Sequence, residues 1–286
     1  MPDILNLPTA EQFGEQIAVL REISGKMGVI GTVGSWDDVQ TVVRRGEASR
    51  YFAVGDQLMS TYNGVPVVWD IIGINHDTPT DAAKTFSMTI QTRDCLQNVQ
   101  FDAPEPTNTD ANRQLYGNNR YIHSAIKQWL NSNESVFTWV SKHQYDAAPT
   151  GAPYTGAGFL KLLDPELVAV IGAVDKQVAV ATVDGGGQDL FSDKVFLLSR
   201  KEIYGTDEGA VTGEKVYPFY SAMAGDATDG ALAGRIKLLS NAARYWWLRS
   251  PGVGYSHYSR LVSPDGGVSG YYACSADGLA PACCIV

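Results

Sequence analysis

Apolar positions recur every three to four residues at the start of the chain and then, from Tyr51, in short or alternating runs, so the pattern predicts helices first and strands afterwards. Thr9-Ala10-Glu11-Gln12 reads as a capping box. It opens a helix with Phe13, Ile17, Leu20 and Ile23 on one face, stopped by Ser24-Gly25. A second short helix is predicted after Ser35, with Trp36, Val39, Val42 and Val43 inward and Gly46 ending it. The pattern divides the chain into an N-terminal helical segment over 1–50, suited to attachment or self-association, and a strand-rich domain over 51–286.

The strand-rich part begins with Phe52-Ala53-Val54-Gly55. Val67 to Ile72, entered through Pro66, reads as a buried strand, with Ser87 to Gln91 as its partner. Residues 102–120 are polar and predict a loop; Tyr121, Ile122, Ile126, Trp129 and Leu130 then predict an amphipathic helix capped by Asn118 or Asn119. Residues 144–158 predict coil, and Asp164-Pro165 a short helical turn. Residues 178–182 and 194–198 read as strands flanking Gly185-Gly186-Gly187, a triplet without the Lys and Ser/Thr of a phosphate loop. Ser199-Arg200-Lys201-Glu202 is a second capping box, closed by Gly205.

The densest aromatic run is Tyr245-Trp246-Trp247-Leu248-Arg249-Ser250-Pro251. Adjacent tryptophans in a strand face opposite ways, so one should fill the core while the other braces a loop, and Arg249 should anchor carbonyls or a carboxylate nearby. Ser263-Pro264-Asp265-Gly266 has the residues of a tight turn, predicting a hairpin with arms near 258–263 and 267–273.

Composition narrows the function. The net charge of -9 and a pI of about 4.9, with no basic cluster beyond pairs such as Arg44-Arg45, disfavour a nucleic-acid partner. No run approaches the ~18 apolar residues of a membrane span, and the start, with Asp3 and no basic region, does not read as a signal peptide. Cys95, Cys274, Cys283 and Cys284 lack CxxC spacing and are expected as reduced, packed thiols; neither metal nor cofactor is expected.

Gly252 to Val286 contains no Lys, Glu, Gln, Met or Trp, although all five types occur before it. These are the residues that a codon ending in C or T never encodes. Randomising the two adenines of an AAC codon reaches many amino acids, none of these five and never a stop. The tail therefore has the composition of adenine-directed mutagenesis.

The run from Tyr245 to Pro251, the Asp265-Gly266 turn and Gly278-Leu279-Ala280-Pro281-Ala282 resemble the end of bacterial and phage domains with the C-type lectin-like fold. Phe52 to Asp56, Trp129-Leu130-Asn131 and Phe196 to Ser199 match in the same order, so the resemblance covers about residues 50 to 286. Many such domains are variable proteins of diversity-generating retroelements, in which error-prone copying at template adenines overwrites the end of the gene. The resemblance implies an α+β, C-type lectin-like fold with short helices and a variable region of about 252–277. It also implies receptor binding or display on a phage particle after synthesis in the bacterial cytoplasm, with a trimer as the precedent. One departure is that no Asn remains after Gly252.

Core substitutions commonly cost ~2 to 5 kcal/mol against a total stability of ~5 to 15, so varied side chains must face solvent. Trp246, Trp247, Leu248, Val262, Val268, Leu279 and Pro281 are assigned to the scaffold. The expected ligand-binding face comprises Gly252, Tyr255, His257, Tyr258, Leu261, Ser263, Gly267, Ser269, Gly270, Tyr271, Tyr272, Cys274 and Asp277. Tyr with Ser and Gly is the composition of an antibody paratope, suited to a surface protein or other macromolecular ligand, and His257 has no neighbour at metal-ligand spacing. The competing readings are a fixed lectin-like or structural virion protein, without a Glu-Pro-Asn or Gln-Pro-Asp sugar motif, and an enzyme of the formylglycine-generating type using the cysteines.

Overall fold

The computed structural model describes residues 33–286 apart from 207, 210 and 222–232. The helix expected over 10–23 lies outside the described residues. What is described is a mixed α+β architecture, mostly strands with short helices.

One sheet runs β1 (Gln57–Tyr62), β2 (Val65–Ile74), β3 (Met88–Thr92), β15 (Ala282–Ile285) and β5 (Ile171–Gly172), with β8 (Val195–Phe196) also pairing with β15. A second runs β13 (Val268–Tyr272), β12 (Tyr258–Val262), β11 (Trp246–Pro251), β14 (Ala276–Gly278) and β4 (Asn98–Gln100). Two hairpins stand apart: β6 (Val174–Ala179) with β7 (Gln188–Asp193), and β9 (Lys237–Leu239) with β10 (Ala242–Arg244). β1 and β2 are joined by Asn63-Gly64, both at positive φ, the turn whose twist matches that of paired strands.

Two apolar clusters fill the interior, and neighbouring residues divide between them because successive strand side chains point to opposite faces. Ile71, Trp247 and Cys283 enter one cluster; Ile72, Trp246 and Cys284 enter the other. The two tryptophans thus face opposite ways as strand alternation predicts, but each fills an apolar cluster, with Trp246 Nε1 also donating to the Arg235 carbonyl at 3.0 Å. Burial pushes the Cys95 and Cys284 thiols up to about 12, which keeps them protonated as small apolar fillers.

Several boundaries differ from expectation. The helix Trp36–Arg44, opened by a capping box from Ser35, buries Trp36, Val39 and Val43 in the first cluster. Its Gln40 Nε2 donates to the Val286 carbonyl at 2.9 Å, and residues 36–48 pack into the same core as the strands. Phe52 to Gly55 is a turn, not a strand, because the Asp56 carboxylate captures the Ala53 amide at 2.8 Å. The helix Ala125–Leu130 is capped by Ser124, whose Oγ accepts from Lys127 N, and not by Asn118 or Asn119. The strand expected at 178–182 is shifted to β6, and its partner β7 was not foreseen, since Gln188–Asp193 is largely polar. Among the described residues no helix is long and apolar enough to cross a membrane.

Candidate binding face

The turn over Ser263 to Gly267 forms as its residues dictate. Gly266 sits at φ 83°, Gly266 N donates to Ser263 O at 2.8 Å, and Asp265 Oδ1 accepts from Gly267 N at 3.1 Å. This sets the register of the β12–β13 hairpin, placing Tyr258 opposite Tyr272, Ser259 opposite Tyr271 and Leu261 opposite Ser269. Opposed residues share a face, so Tyr258 and Tyr272 lie on one side while Leu261 and Tyr271 lie on the other. β13 is an edge strand. Tyr271 therefore escapes the core that receives Leu261, and remains 49% exposed.

Six rings are in contact around the free edge of β13, Tyr271 reaching Tyr272 from the opposite side of the strand. Tyr258 and Tyr272 lie 5.0 Å apart, Tyr116 stacks on Tyr272 at 3.9 Å, Tyr255 meets Tyr258 at 4.9 Å and Tyr271 meets Tyr272 at 5.1 Å. His257 lies beneath them, 4.7 Å from Tyr258 and 5.7 Å from Tyr272. Tyr255 is 55% exposed; Tyr116, Tyr258 and Tyr272 are half-buried.

Three expected members of the face are not on it. Leu261 is buried in the first apolar cluster, because its strand position points inward. His257 is buried under the tyrosines, and burial lowers its pKa, so the ring is a neutral support. Gly252 is buried, its amide tied to the Tyr258 carbonyl at 2.7 Å. Conversely Val268, assigned to the scaffold, is exposed near the hairpin end. Ser263, Gly267, Ser269, Gly270, Cys274 and Asp277 are all half-buried.

The scaffold grips this segment chiefly through its main chain. Asn119 Nδ2 donates to the carbonyls of Tyr255 and Tyr258 at 2.8 and 2.9 Å, and Arg113 Nε to that of Ser256 at 3.0 Å. Gln100 Nε2 donates to Cys274 O at 2.7 Å, Thr182 Oγ1 to Val253 O at 2.9 Å and Tyr204 OH to Gly266 O at 2.8 Å. A carbonyl is present whatever side chain its residue carries, so these contacts do not depend on the identity of the held residues. Side chains of the tract are held too: Cys274 Sγ donates to the Leu115 carbonyl at 3.7 Å, and Arg260 pairs with Glu208. The Arg260 guanidinium forms a two-pronged contact with Glu208 at 2.9 and 2.7 Å, shared with Arg200.

Tyr116 and the 63% exposed Leu115 come from a helix over Ala111–Tyr116 inside the segment expected to be a loop. The Asp110 carboxylate accepts from Asn112 N and Arg113 N, and Gly117 closes the helix at φ 79°. Asp before the helix and Gly after it are legible signals, here masked by the surrounding Asn and Pro.

Asp277 sits at the margin with Oδ2 buried and unpartnered, and burial pushes its pKa from 3.8 up to about 6. The folded protein then holds the proton more tightly than the unfolded chain, so stability declines as pH rises from about 4 through about 6. Asp277→Asn is expected to raise the melting temperature near pH 7 and to leave it unchanged near pH 4. Thermal melts at the two pH values check this, and equal gains at both would point to packing instead of charge.

Beneath β11, Arg249 is fully buried and contacts both Glu202 oxygens at 2.6 and 2.9 Å, Glu214 at 2.5 Å, and the carbonyls of Leu197 and Gln177. Lys176 joins Glu202 at 2.8 Å to Asp77 at 2.5 Å. Burial alone would raise the Glu202 pKa, but Arg249 and Lys176 outweigh it and hold the carboxyl below its ordinary value. Among the described residues, one group combines His with carboxylates at metal-ligand separation: Glu105, His143 and Asp146, on the loops behind Asn118 and Asn119.

The model of one family, described as a domain of unknown function, DUF6273, matches residues 87–286. That span takes in β3 to β15 and the whole aromatic face. No curated protein matches the chain, and no solved structure does.

Proposed function

We propose a binding function, and not a catalytic one, for this chain, which belongs to the DUF6273 family. On this reading it is a C-type lectin-like display protein whose tyrosine-rich face engages a macromolecule on a host or bacterial surface. Its tract over about 252–277 is the diversified product of a retroelement, and the protein acts from a phage particle, as a trimer by precedent. The order of the sequence motifs and the codon-limited composition of the tail support it. The observation that carries it is the main-chain grip of Asn119, Arg113, Gln100 and Thr182 on the tract. A scaffold that holds carbonyls tolerates exchange of the side chains it displays, and clustered tyrosines offer large contact area at small entropic cost.

The test joins genetics to binding. DNA flanking the gene is expected to hold a near-identical repeat whose mismatches fall at template adenines, beside a reverse transcriptase gene. The double variant Tyr255→Ser, Tyr271→Ser is expected to keep its stability within about 0.5 kcal/mol, as exposed positions do. It is expected to lose binding to cells that the parent binds by at least about tenfold, as the loss of aromatic anchors does. Mismatches spread over all four bases would defeat the diversification. Undiminished cell binding by the double variant would defeat the face.

A further inference from the structure

His143 Nε2 lies 2.8 Å from Asp146 Oδ1, 3.2 Å from Glu105 Oε1 and 2.9 Å from Asn118 Nδ2. Asn118 Oδ1 accepts the Arg120 amide at 3.0 Å and its Nδ2 donates to Glu105 Oε1 at 3.1 Å. Two carboxylate oxygens and one imidazole nitrogen thus converge within 4.8 Å of one another, a cluster whose charge is balanced by a proton on His143 or by an ion in that proton's place. The local cations are engaged elsewhere, Arg113 with Asp184 at 2.6 Å and Arg120 with Asp189 at 2.8 Å. A separate observation points the same way. The ring of His123 lies 4.8 Å from that of His143, its enclosed Nδ1 has no hydrogen-bond partner, and both rings line one cavity of about 220 Å³.

We propose that Glu105, His143 and Asp146 bind a divalent transition-metal ion, zinc by donor type, with a further coordination position towards the cavity lined by His123. The three ligand atoms lie within 4.8 Å of one another. An ion about 2.0–2.2 Å from each would set them roughly 3.4 Å apart; His143 Nε2 already lies 3.2 and 2.8 Å from the two carboxylates, which would close on the ion. One imidazole with two carboxylates suits zinc and its neighbours better than calcium, which takes oxygen ligands alone. Asn118 and Asn108, both bonded to Glu105, would orient that carboxylate as outer-shell groups do. Asn119 follows directly and holds the Tyr255 and Tyr258 carbonyls. The ion would therefore staple the 102–120 loop to the 141–146 loop and steady the aromatic face from behind. The site stands on fixed residues and does not depend on the diversification of the tract.

The test uses the full chain, stripped with a chelator and titrated with zinc, cobalt and calcium chlorides. The expected result is saturable zinc binding at one ion per chain, a rise in melting temperature, calcium binding at least about tenfold weaker, and a cobalt spectrum without a thiolate band. Asp146→Asn, which preserves shape, and His143→Ala are expected to weaken zinc binding at least about tenfold, since even outer-shell changes cost 10–100-fold. Cys274→Ser is the control and should change nothing. Absence of saturable binding, or binding lost in Cys274→Ser and kept in Asp146→Asn, would overturn the site.

Discussion

Arg249→Leu is expected to destabilise the fold by about 3–5 kcal/mol, the usual consequence of removing one partner from a buried ion pair. The wild-type cluster sets Lys176 and Arg249 against Asp77, Glu202 and Glu214, all within hydrogen-bonding distance of a partner. Leucine fills part of the volume but leaves three carboxylates facing one lysine, and it orphans the Leu197 and Gln177 carbonyls. Urea unfolding of the purified chain measures the loss. Glu214 loses its ion-pair partner in this variant, and Arg249→Leu with Glu214→Gln should recover part of the deficit. A single variant within about 1 kcal/mol of the parent would mean that the network contributes specificity instead of stability.

Trp247→Ala is expected to cost about 3–5 kcal/mol, close to the whole stability of a marginal domain. The indole is completely buried, packs 5.5 Å from the Phe101 ring, and donates to the Val99 carbonyl at 2.8 Å, tying β11 to β4. Truncation removes the packing and leaves the carbonyl unpaired, two penalties that add. The midpoint of unfolding reports the first effect, and Trp247→Phe separates them, since it restores much of the volume but not the donor. The contrast with Tyr255 and Tyr271 is physical. Those rings keep water on one side, whereas every face of Trp247 is in contact with protein.

Local chemistry was legible where a residue's role is settled by its own neighbours in the chain. The helix after Ser35, the capping box at Ser199 and the turn at Pro264-Asp265-Gly266 all follow from a cap or a positive φ acting over three or four residues. The opposed directions of Trp246 and Trp247 follow from strand alternation alone. Asn63-Gly64, both at positive φ, is an equally local signal for the β1–β2 hairpin. The short-range framework, and a tail rich in small and aromatic residues, are thus written in the order of residues alone.

Only the tertiary structure decided which of those tail residues face outward. Leu261 and His257 fall inward while Val268 and Tyr271 fall outward, because exposure depends on β13 being the edge of its sheet and on the helix carrying Tyr116. The meeting of Glu105 with His143, and of Asn119 with Tyr255 and Tyr258, likewise joins segments far apart in the chain. Pairings across such distances are set by the packing of whole sheets, and no periodicity along a single chain encodes them.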